Sequence, residues 1–300
     1  METVATYSVP EHHVKMYTAN VRAALNKQGG DLIARVSMAS YTGEKVQVVN
    51  FLGPVEFTER DTPYGDTKVV ELEHTQRWIS GKEYDCAVFI DRLDALKMLY
   101  DPTSPYVERM REAAARKYDE IVMNSFFADA KTGKDGTTTT AFPNADIVVH
   151  NATGLVLAKL RSLRKLIKKR HVDLRRNKPF IGVTAEQIDN LIGETTTTSR
   201  DFNDVKPLVD GEVTAFMGFV FVPYEDYLGK GIPTHADGGT IRECPVWVPD
   251  GMHFGSWDAM NIIVSNRADK NNIKQLHASF TAGATRIEEG RVFKLECKES

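Results

Sequence analysis

Residues 45–79 constrain the fold most. "KVQVVNFLGPVEFT" (45–58) and "TKVVELEHTQRWI" (67–79) are rich in strand formers, and "RDTPYGD" between them puts Pro and Gly in turn positions. Together they predict a long hairpin whose limbs would each reach about 40 Å at ~3.3 Å per residue. Neither face of the second limb is apolar along its whole length. A two-stranded ribbon of that reach is marginally stable alone in water. Something outside it must hold it down.

The rest of the chain can bury a core. With 300 residues, 42% of them hydrophobic, there is material for one large domain or two modest ones. A net charge of −3 sets up no strong overall field toward nucleic acid, membrane or acidic substrate. Cys86, Cys244 and Cys297 are odd in number and lack CxxC spacing, so they are expected to be reduced, buried thiols. The N-terminal residues show no basic start followed by an apolar block, and no window approaches roughly 18 uninterrupted apolar residues. The expectation is a soluble protein made in the cytoplasm, with no membrane partner.

Residues 1–45 are weakly patterned, with a short helical candidate near residues 18–26 that stops at Gly29-Gly30. They read as an arm with little core of its own. After the hairpin, "YDCAVFI" reads as a strand, and Ser104-Pro105 are placed as N-cap and first residue of a long helix. Val107, Met110, Ala114, Tyr118, Ile121, Val122 and Ser125 or Phe126 follow the 3.6-residue period, predicting a helix over 104–128 about 36 Å long. Such a helix is the expected spine of the fold. Gly133, Gly136 and the threonines at 137–140 mark a loop. A second amphipathic helix is predicted over 155–172, then a strand "KPFIGVT", a helix "AEQIDNLIG" and a strand "TAFMGFVFVPY". The last hundred residues are strand-rich. Strands and helices without regular βαβ alternation indicate the α+β class.

Catalytic and ligand-binding patterns are missing. "TGKDGTTTT" places Asp135 after Lys134 where a phosphate loop requires Ser or Thr. His12-His13 and the pair His235/Asp237 lack the spacing of HExxH or Cys/His metal sites, and Gly238-Gly239 marks the second as a turn. No GxSxG occurs, and Asp91, Asp94 and Asp101 suit capping or solvation. No catalytic residue, cofactor or metal is expected.

The strongest local charge lies at 159–178, where Lys159, Arg161, Arg164, Lys165, Lys168, Lys169, Arg170, Arg175, Arg176 and Lys178 face one acid, Asp173. This helix could meet phosphates or an acidic neighbouring subunit. Without interleaved aromatics it better suits a solvated face whose Leu157, Leu160, Leu163 and Ile167 stripe packs inward. Lys159, Arg164, Lys165, Lys168, Lys169 and Arg170 are the candidate contacts with genome or subunit.

The order of parts resembles the major capsid proteins of tailed bacteriophages, the Hong-Kong-97-type fold, over nearly the whole chain. "TPYGDTKVVELEHTQRWISGKEYDCAVFIDRLD" is similar to that family's extended loop (E-loop) returning to the peripheral domain. "LYDPTSPYVERMREAAARKYDEIVMNSFFADA", with "AAARKYDE" at 113–120, is similar to the approach to the spine helix. "SFTAGATRIEEGRVFKLEC" at 279–297 is similar to the terminal hairpin, in which small residues and an Arg precede the last strand.

The resemblance implies an N-terminal arm at 1–45, an E-loop at 46–82, a peripheral domain at 83–146 and 264–300 with the spine helix at 104–128, and an axial domain at 147–263. It implies a homo-oligomer of pentamers and hexamers closing an icosahedral shell around double-stranded DNA, in the virion and assembled in the host cytoplasm. A separate scaffolding protein, a portal and a decoration protein are implied partners. The ribbon would then lie across a neighbouring subunit through Phe51, Val55, Phe57, Val70, Leu72 and Trp78, with Glu71, Glu73 and Arg77 as candidates for ion pairs between subunits. The competing readings are an encapsulin-like compartment enclosing a cargo enzyme, an enzyme with an unrecognised site, and a stand-alone nucleic-acid-binding protein.

Overall fold

The computed structural model describes residues 29–53, 55–57, 59, 69, 71–72, 74–90, 103–174, 177–198, 215–235 and 240–299. The elements in chain order are β1 (Ser37–Ser40), β2 (Lys45–Leu52), β3 (His74–Ser80), β4 (Lys82–Ile90), α1 (Thr103–Ser125), β5 (Ala130–Thr132), β6 (Thr138–Thr140), β7 (Ile147–Val148) and α2 (Leu157–Lys169). They continue with β8 (Phe180–Val183), α3 (Ala185–Thr198), β9 (Ala215–Phe216), β10 (Phe219–Pro223), β11 (Ile241–Trp247), β12 (Met252–Arg267), β13 (Ile273–Arg286) and β14 (Val292–Lys298). The α+β expectation holds, because the strands form mixed sheets without a repeating crossover helix. The expected arm helix near residues 18–26 and the turn at 60–66 lie outside the described residues.

The chain divides into two compact units. One comprises residues 1–29, 83–117 and 258–281; the other comprises 30–82, 118–257 and 282–300. Residues 118–146 and 282–300, expected beside the peripheral segment, thus group with the residues expected for the axial domain.

In the smaller unit, β4 lies next to β13, which lies next to the second half of β12. The first part of α1 covers them. Met110 on the helix packs with Ile90, Leu276 and Ala278 of the strands, and Val88, Tyr106, Val107, Met260 and Ile262 close the edges. Cys86 departs from expectation: it is exposed, because β4 buries only its C-terminal end.

In the larger unit, six strands run in the order β7-β14-β11-β8-β10-β9. The Leu160, Leu163 and Ile167 stripe of α2 is fully buried against Ile181, Val183, Phe219, Val246, Phe293 and Leu295, as the 3.6-residue spacing predicted. Cys244 and Cys297 are buried in the same core. The hydrogen bond to Cys297 drives the Cys244 thiol well above its ordinary pKa, and burial adds to the rise. The stretch "TAFMGFVFVPY", read as one strand, is two. Met217 and Gly218 both have positive φ (51° and 88°), the conformation of a two-residue turn that joins β9 and β10 as a tight hairpin.

The second half of α1 is buried through Val122, Met123 and, just past its end, Phe126. Past the helix end, a buried arginine gathers the carbonyls of the segment that follows. Arg286 donates from Nη1 to the carbonyls of Phe126 (3.0 Å) and Ala128 (3.1 Å), and from Nη2 to that of Thr140 (3.3 Å). This is the Arg that precedes the last strand in the sequence pattern.

A third sheet carries the hairpin. Its order is β2-β3-β5-β6. The threonine run read as a loop is partly strand, since Thr138–Thr140 form β6 and pair with β5 across Gly133 and Gly136.

Candidate functional site

Two surfaces answer to the sequence expectations: the ribbon with its base, and the basic helix. The ribbon is shorter than the β-propensity suggested. β2 and β3 pair antiparallel from Lys45↔Ser80 to Leu52↔His74, with a bulge between Gln47 and Val49. Beyond Leu52 and before His74 the described residues leave the strands. Gly53 offers no side chain to pack on a partner strand, which weakens the ladder at this end.

The base is fastened inside the chain. Arg77 is 2% exposed. Its Nε donates to the Ile287 carbonyl at 2.8 Å and its Nη2 to the Glu289 carboxylate. The intersubunit ion pair expected of Arg77 is therefore corrected: a guanidinium so enclosed is committed to its own chain. Trp78 is half-buried, with Nε1 donating to the Gly133 carbonyl at 2.7 Å. Its ring lies on Gly136, where a Cβ would come within 2.9 Å of the indole and where φ is +65°. Only glycine fits both demands. Ile79, not singled out from sequence, is the deeply buried apolar side chain of β3. Gly283 lets β13 approach the Ser80 carbonyl closely.

From Leu52, the last paired residue of β2, outward the character reverses. Leu52, Val55, Phe57, Val69 and Leu72 are exposed, Phe57 completely so, and Glu71 is exposed beside them. Phe51, the last expected apolar contact on β2, is half-buried. Val70 and Glu73 lie outside the described residues. Single exposed apolar residues are ordinary, whereas five between positions 52 and 72 leave much apolar area to water.

On the basic helix the candidates separate. Lys165, Lys168 and Lys169 are exposed, and Arg164 is half-buried with a long contact to the Met217 carbonyl at 3.4 Å. Arg170 reaches the fully buried Asp146 with Nε at 2.8 Å and Nη2 at 2.7 Å. Burial raises the Asp146 pKa, and the Arg170 hydrogen bonds oppose that rise. Lys159 is a correction. It is 4% exposed, and Nζ donates to the carbonyls of Thr153 (2.6 Å), Gly154 (2.8 Å) and Glu296 (2.9 Å). Desolvation lowers its pKa. With three carbonyls filling its three donors, this lysine has nothing to offer a phosphate.

Sequence reasoning missed a further anchor. The Asp119 carboxylate accepts from the backbone N–H of Gly30 (2.7 Å), Asp31 (3.2 Å), Leu32 (3.0 Å) and Ile33 (3.3 Å). Asp119 is 1% exposed and lies within the "AAARKYDE" stretch. Its neighbour Tyr118 meets Phe254 edge-on at 5.6 Å. The signal was an acid on an otherwise apolar helix face. Among the described residues no helix is long and apolar enough to cross a membrane.

The comparisons agree with this architecture. No curated protein matches the chain by sequence. The capsid of cyanophage P-SCSP1u superimposes with a TM-score of 0.73 at 15% identity, covering 97% of this chain and 94% of that one. The acid-stable capsid of Helicobacter pylori bacteriophage KHP30 gives a TM-score of 0.72 at 9% identity, covering 99% and 98%. The capsid of an empty GTA particle gives 0.69 at 12% identity, covering 93% and 100%. These similarities show a shared fold of the tailed-phage capsid kind. The family model described as phage capsid protein matches residues 9–299, and the chain belongs to that family.

Proposed function

We propose that the chain is the major shell subunit of a tailed-phage head, closing an icosahedral lattice of hexamers and pentamers around double-stranded DNA. The observation that carries this reading is the ribbon itself. Its base is locked to its own chain through Arg77, Trp78 and Ile79, while Leu52, Val55, Phe57, Val69 and Leu72 are exposed beyond it. A neighbouring subunit is the surface that such side chains suit, since each copy in a closed lattice offers the same patch.

The role is structural, without chemistry of its own. The smaller unit supplies the peripheral part of the lattice, and the six-stranded unit the part around the five- and six-fold axes. Assembly takes place in the host cytoplasm on a separate scaffolding protein, with a portal at one vertex and a decoration protein outside. Lys165, Lys168 and Lys169 form the exposed basic face that meets packaged DNA or an acidic neighbour.

Electron micrographs of the full chain produced with its scaffolding protein test this reading. Closed shells of uniform diameter are expected. A monomer or dimer at every concentration would overturn it.

A further inference from the structure

Glu243 of β11 and Glu296 of β14 are register partners, directly opposed across the antiparallel ladder. Like charges in that position repel, and Glu296 is only 8% exposed. The third participant comes from the segment before β11. The His235 N–H donates to the Ile241 carbonyl and the Glu243 N–H to the Pro233 carbonyl, both at 2.8 Å, and Thr234 bridges antiparallel to Arg242. This short pairing brings the imidazole to the two carboxylates. One ligand atom from each of His235, Glu243 and Glu296 lies within 4.8 Å of the other two.

We propose that His235, Glu243 and Glu296 bind one zinc ion, which ties β11, β14 and the 233–235 segment together. Zinc accepts one imidazole nitrogen and carboxylate oxygens at about 2.0–2.2 Å, and three protein ligands with water in the fourth position are a common set. Ligand atoms around such an ion lie about 3.4 Å apart, which side-chain rotation reaches from the observed spacing. Magnesium and calcium prefer shells of oxygen alone with more ligands.

The surroundings orient the carboxylates as outer-shell partners of metal ligands do. Lys294 Nζ lies 2.8 Å from Glu243 Oε1 and is held over the Phe127 ring at 4.5 Å. The His150 N–H donates to Glu296 Oε2 at 3.3 Å. A dication held between Glu243 and Glu296 relieves the repulsion of the two opposed carboxylates. Sequence spacing did not reveal the set, because it paired His235 with Asp237, whereas Glu243 and Glu296 reach the histidine through the strand register.

The full chain, stripped with chelator and dialysed against zinc, tests the proposal by metal content and thermal unfolding. About one zinc per chain is expected, with a rise in Tm that EDTA reverses. His235→Ala and Glu243→Gln, each with the far-ultraviolet spectrum of the parent, should lower zinc affinity at least about tenfold. Zinc retained equally by both variants, no zinc retained by the folded parent, or an equal Tm rise with magnesium would overturn it. Should the variants fail to fold, cobalt bound to the parent chain decides. An intense four-coordinate visible spectrum supports the site, and a weak six-coordinate one refutes it.

Discussion

The indole of Trp78 donates its N–H to the carbonyl of Gly133 at 2.7 Å, and so fastens the base of the ribbon to the β5–β6 hairpin. Trp78→Phe removes the donor and keeps most of the ring, leaving one carbonyl to water at a cost of about 1 kcal/mol. Trp78→Ala also uncovers Gly136 and should cost about 2–3 kcal/mol. Denaturant titration of the unassembled chain reads both values. Equal stability of the parent and Trp78→Ala would show that the indole does not hold the base.

Asp119 satisfies four backbone donors with one carboxylate. Asp119→Ala orphans them together and should destabilise by about 3 kcal/mol. Hydrogen exchange should rise first at Leu32 and Ile33. Asp119→Asn retains an acceptor oxygen and should lose less.

His253 gives the fold a pH dependence. Ser37 Oγ donates to the Met252 carbonyl at 2.7 Å, so it accepts from His253 Nδ1 at 2.8 Å, and Nε2 is left to accept from the Tyr41 hydroxyl at 2.7 Å. The neutral ring satisfies every partner, and a second proton would confront the Tyr41 O–H. Desolvation lowers the folded pKa below the ordinary 6.5. The unfolded chain therefore takes up this proton first as pH falls. The contribution is complete above pH 6.5 and is lost between 6.5 and the lower folded value. Stability measured across this range should fall on acidification, and His253→Gln should flatten that part of the curve. An unchanged slope in His253→Gln would reject the assignment.

Lys159 and the outer lysines of α2 should separate cleanly. Lys159→Met orphans three carbonyls, that of Glu296 in the interior, and should cost about 2–3 kcal/mol without changing retention on a polyanion. The triple variant Lys165→Gln, Lys168→Gln, Lys169→Gln should leave unfolding within about 0.5 kcal/mol and weaken salt-dependent binding to duplex DNA. If shells of the triple variant form normally but fill poorly with DNA, the face serves the genome. If shells fail, it serves the lattice.

The sequence made the helices legible because periodicity records burial directly. Leu160, Leu163 and Ile167 are buried on α2 as their spacing predicted. Charge was a poorer guide. A basic residue reads alike whether it is solvated, like Lys168, or enclosed, like Lys159, because the partners of Lys159 are backbone carbonyls that no residue type announces. Arg77 was misread for the same reason, since Ile287 and Glu289 lie far along the chain. The length of the ribbon was overestimated because strand propensity does not say where pairing stops. The set His235, Glu243 and Glu296 depends on long-range strand register and had no local signature, whereas Asp119 showed locally only as an acid on an otherwise apolar helix face.

The double variant Phe57→Ser, Leu72→Ser tests the central claim most directly, because both side chains are exposed and neither belongs to the two cores described above. Thermal unfolding of the unassembled subunit should match the parent, while electron micrographs of the variant produced with its scaffolding protein should show few or no closed shells. Normal shells in normal yield would contradict the assignment of the ribbon to a neighbouring subunit.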